Sequence, residues 1–272
     1  MQENVKRRSL PQADRLSVLT AMILLAYALA RFINIPGREI GFQLPGVYIS
    51  FQLNIQLIIA VLVAGMTASG TRQILRNHPN IGSEPTIGHW LLPAFTSLVI
   101  GLPLYQLPSG PIWWLGYILG GALLMLVVLA EYITLDDEDE FFIPAAIGLT
   151  TVSFAIFLAL SIALRIAGTR LIMILPVLMI AVGLVSLRTL HLRFHESWQY
   201  TNAILISLII GQFAAALHYW RISPIAYGLA LLAPAYGLMV YLGNIADGES
   251  PRKALVEPVV IAFVIWGAAV FI

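Results

Sequence analysis

The chain is predicted to be an all-α integral membrane protein. Nine transmembrane helices are expected, with a small extracytoplasmic β-hairpin between helices 1 and 2 and a candidate parallel duplication of a four-helix unit. Three observations carry this. Hydrophobic residues make up 59% of the 272 residues and charged residues 11%, against roughly 45–50% and about 25% in soluble domains. The apolar residues gather into nine runs, most of them near the ~20 residues that cross a bilayer core. No stretch between these runs is long enough to fold as a soluble domain.

The runs are Leu16–Ile35, Asn54–Ser69, His89–Leu107, Ile112–Thr134, Pro144–Ala167, Arg170–Leu187, Tyr200–Tyr219, Pro224–Gly243 and Ala254–Ile272. They read as helices, because backbone polar groups in hydrocarbon must be paired within the segment. None shows the sustained alternation of a barrel strand. The basic flank Lys6-Arg7-Arg8 before the first run resembles the start of a signal peptide, and Ala28-Leu29-Ala30 a cleavage site. The flank is long and the run is of spanning length, so an uncleaved first helix is expected. Between the first two runs, Glu39–Leu53 alternates apolar and polar residues around Pro45-Gly46. Such a pattern reads as a β-hairpin, or else as an interfacial start of the second helix. Ala60, Ala64 and Ala68 form a ridge of small residues, and Gly116 and Gly120 a GxxxG, both suited to close helix approach. Pro176 and Pro234 fall inside the sixth and eighth helices, where each removes a backbone donor.

The whole chain, 1–272, reads as one transmembrane domain. It divides into an N-terminal tail, helix 1 and hairpin (1–53), a first four-helix repeat (54–167) and a second (170–272). The repeat rests on matches in constant order. SLVIG at Ser97 recurs as SLIIG at Ser207, Pro111-Ile112 as Pro224-Ile225, Leu75–His78 as Leu192–His195, and Pro144 as Pro258. Chance likeness among apolar sequences is the competing account. Parallel repeats of this kind occur in transporters.

Lys and Arg set the orientation. With the N-terminus inside, ten fall inside (Lys6, Arg7, Arg8, Arg15, Arg72, Arg76, Arg188, Arg193, Arg252, Lys253). Five fall outside (Arg31, Arg38, Arg165, Arg170, Arg221). The expected location is therefore the cell membrane of a bacterial-type cell, with a cytoplasmic N-terminus and an extracytoplasmic C-terminus.

Composition also excludes. There is no cysteine, so disulfides and thiolate catalysis are out. Net charge is +1, and no basic tail or nucleic-acid motif appears. There is no GxSxG, HExxH or P-loop. No ionisable residue sits at mid-span, where such groups are costly and usually functional. Gln56 and Gln212 are the polar residues expected inside the bundle, most simply as interhelical hydrogen-bonding groups. His191 and His195 share a spacing that metal ligands could use.

Loops carry the remaining candidates. Arg72, Arg76 and His78, and then Arg188, Arg193 and His195, form two basic loops that could bind phosphates or partners, a guanidinium matching phosphate geometry. Asp136, Asp137, Asp139 and Asp247 lie in two acidic loops that could hold a hard cation. Charge runs are more commonly solvated connectors. Two acidic loops four helices apart in a nine-span chain resemble the intramembrane aromatic prenyltransferases. The resemblance implies a prenyl diphosphate bound through magnesium. Asp136, Asp137 and Asp139 depart from that family's asparagine-led spacing, Asn244 and Asp247 approximate it, and the loops follow helices four and eight rather than two and six.

Three functions are thus open. The first is a non-catalytic membrane component, as subunit, scaffold or sensor. The second is a carrier or permease for a small or lipidic molecule. The third is a magnesium-dependent intramembrane enzyme acting on a lipid diphosphate. No cofactor is called for. The expected partners are the lipid bilayer and proteins within it, and not nucleic acid.

Overall fold

The computed structural model describes residues 13–33, 38–44, 47–53, 55–76, 87–108, 110–136, 138–194 and 198–271. They fold as two compact units, residues 1–142 and 143–272.

The first unit holds α1 (Ala13–Phe32), α2 (Ile55–Leu75), α3 (Ile87–Gln106) and α4 (Pro111–Ile133). In α1, Leu16, Leu19, Ile23, Tyr27 and Ala30 recur every three or four residues and are all buried, the stripe of a helix packed on one face. The opposite face, with Val18, Met22, Leu25 and Leu29, is equally apolar and exposed. Small residues let α1 approach its neighbours: Leu24 sits over Gly121 of α4, and Tyr27 over Gly101 of α3. The Tyr27 hydroxyl also donates to the Ser97 carbonyl. Gly116 and Gly120 of the GxxxG face α3, against Leu104 and Ile100 respectively. Between α1 and α2, β1 (Arg38–Leu44) and β2 (Val47–Leu53) pair antiparallel, from Arg38 opposite Leu53 to Leu44 opposite Val47. Their Pro45-Gly46 turn lies outside the described residues.

The second unit holds α5 (Phe142–Ile166), α6 (Leu171–Phe194), α7 (Tyr200–His218), α8 (Pro224–Ala246), the single turn α9 (Pro251–Ala254) and α10 (Val256–Val270). α6 and α7 lie side by side, as do α8 and α10. Ser207 on α7 donates to the Met179 carbonyl on α6 at 2.6 Å. Arg165 at the end of α5 donates to the carbonyls of His218 and Trp220 and lies 5.1 Å from the centre of the Tyr227 ring. It thereby pairs the His218 carbonyl at the end of α7 and adds a second donor to the Trp220 carbonyl, which also accepts from the Ile222 N–H.

Two prolines lock α8 to α10. A proline leaves the carbonyl four residues before it without a helical donor. Pro234 does this to Ala230, and the Trp266 indole N–H on α10 donates there at 3.3 Å. Pro258 does it to Ala254, and the Asn244 side chain on α8 reaches that carbonyl at 3.5 Å. The expected helix-breaking role of Pro234 thus resolves into an interhelical hydrogen bond, with α8 continuous through it.

Seven described helices, α1, α2, α4, α5, α6, α7 and α8, are long and apolar enough to cross a membrane. The nine expected runs therefore reduce to seven on this measure. α10 has only 15 residues because Leu255 breaks it from α9. Two further expectations are corrected. Arg188 is not in a loop: α6 runs to Phe194 and buries Arg188 to 2% exposure, well inside the helix. Gln212 is not inside the bundle but exposed on α7.

Candidate functional site

α8 ends in a turn whose chemistry places the site. Gly248 takes a left-handed conformation, φ 86°, which costs glycine nothing. The N–H of Glu249 bonds to the Asn244 carbonyl and that of Gly248 to the Ile245 carbonyl, both at 3.1 Å. This pair of bonds is the Schellman closure of a helix C-terminus. It leaves Asp247 as the last residue of the turn, one helical turn beyond Gly243.

Arg193, in the last turn of α6, meets Asp247 there. One guanidinium nitrogen, Nη2, donates to Asp247 Oδ2 at 2.5 Å and to Asn244 Oδ1 at 2.8 Å. Asn244 passes the network on, its Nδ2 lying 3.3 Å from Glu257 Oε2. The guanidinium lies flat against Gly243, in the space a β-carbon would take. Asn244 is buried, while the Arg193 and Asp247 side chains are 35% and 58% exposed. An ion pair that open contributes at most about 1 kcal/mol in water. Its geometry, rather than its energy, defines the place.

That place is the polar end of a cleft of about 750 Å³. Ile147, Thr150, Thr151 and Phe154 of α5 form one wall, Thr189 and Arg193 of α6 another, and Tyr236, Met239 and Asp247 of α8 a third, closed by Ile261 and Ile265 of α10. Phe154 and Tyr236 meet edge to face, ring centres 5.2 Å apart. Thr189 stands one helical turn before Arg193, and its hydroxyl oxygen is buried without a hydrogen-bond partner among the described residues. The cleft is thus amphipathic along its length, with aliphatic and aromatic walls and one end of paired opposite charges.

Of the residues singled out by sequence, the structure brings Arg193 and Asp247 together. Arg72 and Arg76 lie exposed at the end of α2 in the first unit. Arg188 is buried in α6. His78, His195 and Asp137 lie outside the described residues. His191 stacks on Trp198 at 3.7 Å between ring centres. Asp136 and Asp139 accept from the backbone N–H groups of Glu138 and Phe141, at 3.2 and 2.8 Å. These are the local turns aspartate forms in tight connections. Among the described residues no three His, Asp or Glu side chains are grouped as metal ligands. Sequence reasoning missed Thr189 and Tyr236, which carry no motif, and underrated Asn244, whose partners Ala254, Glu257 and Arg193 lie 10, 13 and 51 residues away.

The class the fold defines is α-helical, with seven described helices that suit a membrane by length and composition. The chain belongs to the family described as DUF5656, protein of unknown function, whose sequence model matches residues 35–272 and leaves α1 outside. No curated protein and no solved structure matches the chain.

Proposed function

We propose that this protein is a multi-pass membrane component that holds a lipidic amphiphile in the α5–α6–α8–α10 cleft, without chemistry of its own. The single observation behind this reading is the cleft itself: about 750 Å³, apolar along its walls, ending at Arg193 and Asp247 with Thr189 beside them. Ligand sites are commonly clefts of ~300–1,000 Å³ with few polar groups that fix orientation. The paired charges suit a neutral or zwitterionic head. A head of that kind donates to Asp247 and accepts from Arg193 without leaving either ion uncompensated.

In this reading the chain crosses the cell membrane nine times, N-terminus in the cytoplasm and C-terminus outside, as the Lys/Arg distribution directs. α3 has 20 residues, about 30 Å of helix, and joins two helices of spanning length. α9 and α10 together supply the ninth crossing. The hairpin lies on the outer face. The Arg193–Asp247 end of the cleft, Arg72 and Arg76 then face the cytoplasm.

A carrier role is the second reading, and the repeat favours it. α4 (Pro111–Ile133) and α8 (Pro224–Ala246) both have 23 residues and begin with proline, while α3 and α7 (Ile87–Gln106, Tyr200–His218) keep the same offset at their starts. The magnesium-dependent enzyme draws no such support, since Asp136 and Asp139 are engaged in their own connector.

The test is native mass spectrometry of the purified protein after delipidation and exposure to a mixed lipid extract. A retained lipid adduct is expected. It should be lost in Ala146→Phe, which fills the cleft from the α5 wall that Ala146 lines, and weakened in Thr189→Val. A protein that retains no lipid, or retains it equally in Ala146→Phe, refutes the reading. Passage of that lipid across proteoliposomes separates carrier from holder.

A further inference from the structure

The second unit has another cleft, also about 750 Å³, between α7, α8 and α10 and towards the opposite end of α8 and α10. Its floor is small, Ala226 and Ala230 on α8, and its walls are Phe213 and Leu217 on α7 and Trp266 on α10. The Trp266 ring is held as a wall by its bond to the Ala230 carbonyl, which Pro234 leaves open. Arg221 and Ser223 stand at the mouth. The Ser223 oxygen accepts from the Ala226 N–H at 3.1 Å, so its own proton is left to donate.

The charge at this end is of one sign. Arg165, Arg170 and Arg221 lie here, at the close of α5, the start of α6 and the α7–α8 connection. The carboxylate side chains of residues 143–272 are Glu196, Asp247, Glu249 and Glu257. Asp247, Glu249 and Glu257 follow α8 or begin α10, at the other end. Glu196 belongs to the α6–α7 connection, outside the described residues. The first cleft ends in paired opposite charges, whereas this one ends in arginine with no carboxylate among its lining residues.

We propose that this groove is a site for an anionic phospholipid, with one acyl chain laid along Ala226, Ala230 and Trp266 and the phosphate held by Arg221 and the Ser223 hydroxyl. The guanidinium matches the phosphate oxygens. A zwitterionic lipid would bring a trimethylammonium group towards three arginines and lose that complementarity. The inference rests on the membrane reading but not on the first cleft.

Brominated acyl chains quench nearby tryptophan, and Trp220 and Trp266 both line the groove and report on it. The protein is reconstituted in phosphatidylcholine vesicles containing equal fractions of brominated phosphatidylglycerol or brominated phosphatidylcholine. Quenching by the anionic lipid should exceed that by the zwitterionic one severalfold at low brominated fraction. The excess should vanish in Arg221→Gln, whose side chain is exposed and outside the helices, and fall in Trp266→Phe, leaving the share of Trp220. It should persist in Arg193→Gln and fall as salt is raised. Equal quenching by both lipids would mean bulk lipid fills the groove. Quenching of Trp266 by neither would mean a protein surface covers it. An excess that survives in Arg221→Gln places the anionic lipid elsewhere. Each of these overturns the proposal, whereas failure of the protein to float with vesicles at all rejects the membrane reading instead.

Discussion

Trp266 donates its indole N–H to the carbonyl of Ala230 at 3.3 Å, the carbonyl that Pro234 strips of its helical donor. Asn244 does the same in the reverse direction for Ala254, the carbonyl stripped by Pro258, at 3.5 Å. α8 therefore carries a proline-made vacancy that α10 fills, and supplies the side chain that fills the one Pro258 of α10 makes at the end of α9. In lipid, where apolar surface gives helices little reason to associate, such bonds and close packing do that work. Gly237 lies opposite Pro258, where even an added β-carbon would make ordinary van der Waals contact.

Trp266→Phe should lower the thermal unfolding midpoint in detergent, at a cost of about 1 kcal/mol, since it leaves the Ala230 carbonyl unpaired. Pro234→Ala should cancel most of that cost by restoring the backbone donor. A double-mutant cycle reads the coupling, and strict additivity would show that the indole bond is incidental.

Gly243→Ala should displace the Arg193 guanidinium, which occupies the space of the new β-carbon. The expected loss is about 1 kcal/mol of stability, together with weakened lipid retention by the first cleft. In an Arg193→Ala background the same substitution should be near neutral or slightly stabilising, as alanine is the better helix former. An undiminished cost in that background would mean that Gly243 matters for another reason.

Asn244→Leu should be more damaging than either, by about 2–3 kcal/mol, because it removes partners from Arg193, Ala254 and Glu257 together. Asn244→Asp keeps the acceptor for Arg193 but loses the donor to Ala254. It should fall between wild type and leucine in thermal midpoint.

Neutralising the acidic connector should leave the fold intact if the turn chemistry is kept. Asp139→Asn preserves the acceptor for the Phe141 N–H and should leave the midpoint unchanged. Asp139→Ala should cost about 0.5–1 kcal/mol, in the range of a lost side-chain cap. Magnesium should not shift either midpoint, and a shift with wild type alone would revive a metal role for the loop.

Reporter fusions should place the N-terminus in the cytoplasm and the C-terminus outside. The same side for both would require an even number of crossings and would remove α3 or α10 from the membrane.

Much of the helical pattern was legible in the chain, and the reason is solvent. An apolar run of spanning length needs no partner to be read, because its length and composition alone match a bilayer. α4, α5, α7 and α8 begin within two residues of where the apolar runs predict. Helix ends were less legible. α6 continues past Leu187 to Phe194 because Arg188, taken for a loop residue, finds a buried setting that composition does not announce. α10 is broken at Leu255 by its own proline, a local signal that the apolar run concealed.

The site divides in the same way. Arg193 and Asp247 stood out as charges beside apolar helices, since ionisable residues there are few enough to notice one by one. Their partnership did not, because they are 54 residues apart and meet only through the closeness of α6 to α8 at Gly243. Composition and periodicity determined by themselves that this chain is built of bilayer-length apolar helices. Tertiary packing decided which polar groups face one another, because a hydrogen bond depends on separations of a few ångströms between helices, and residue order along one helix does not contain that distance.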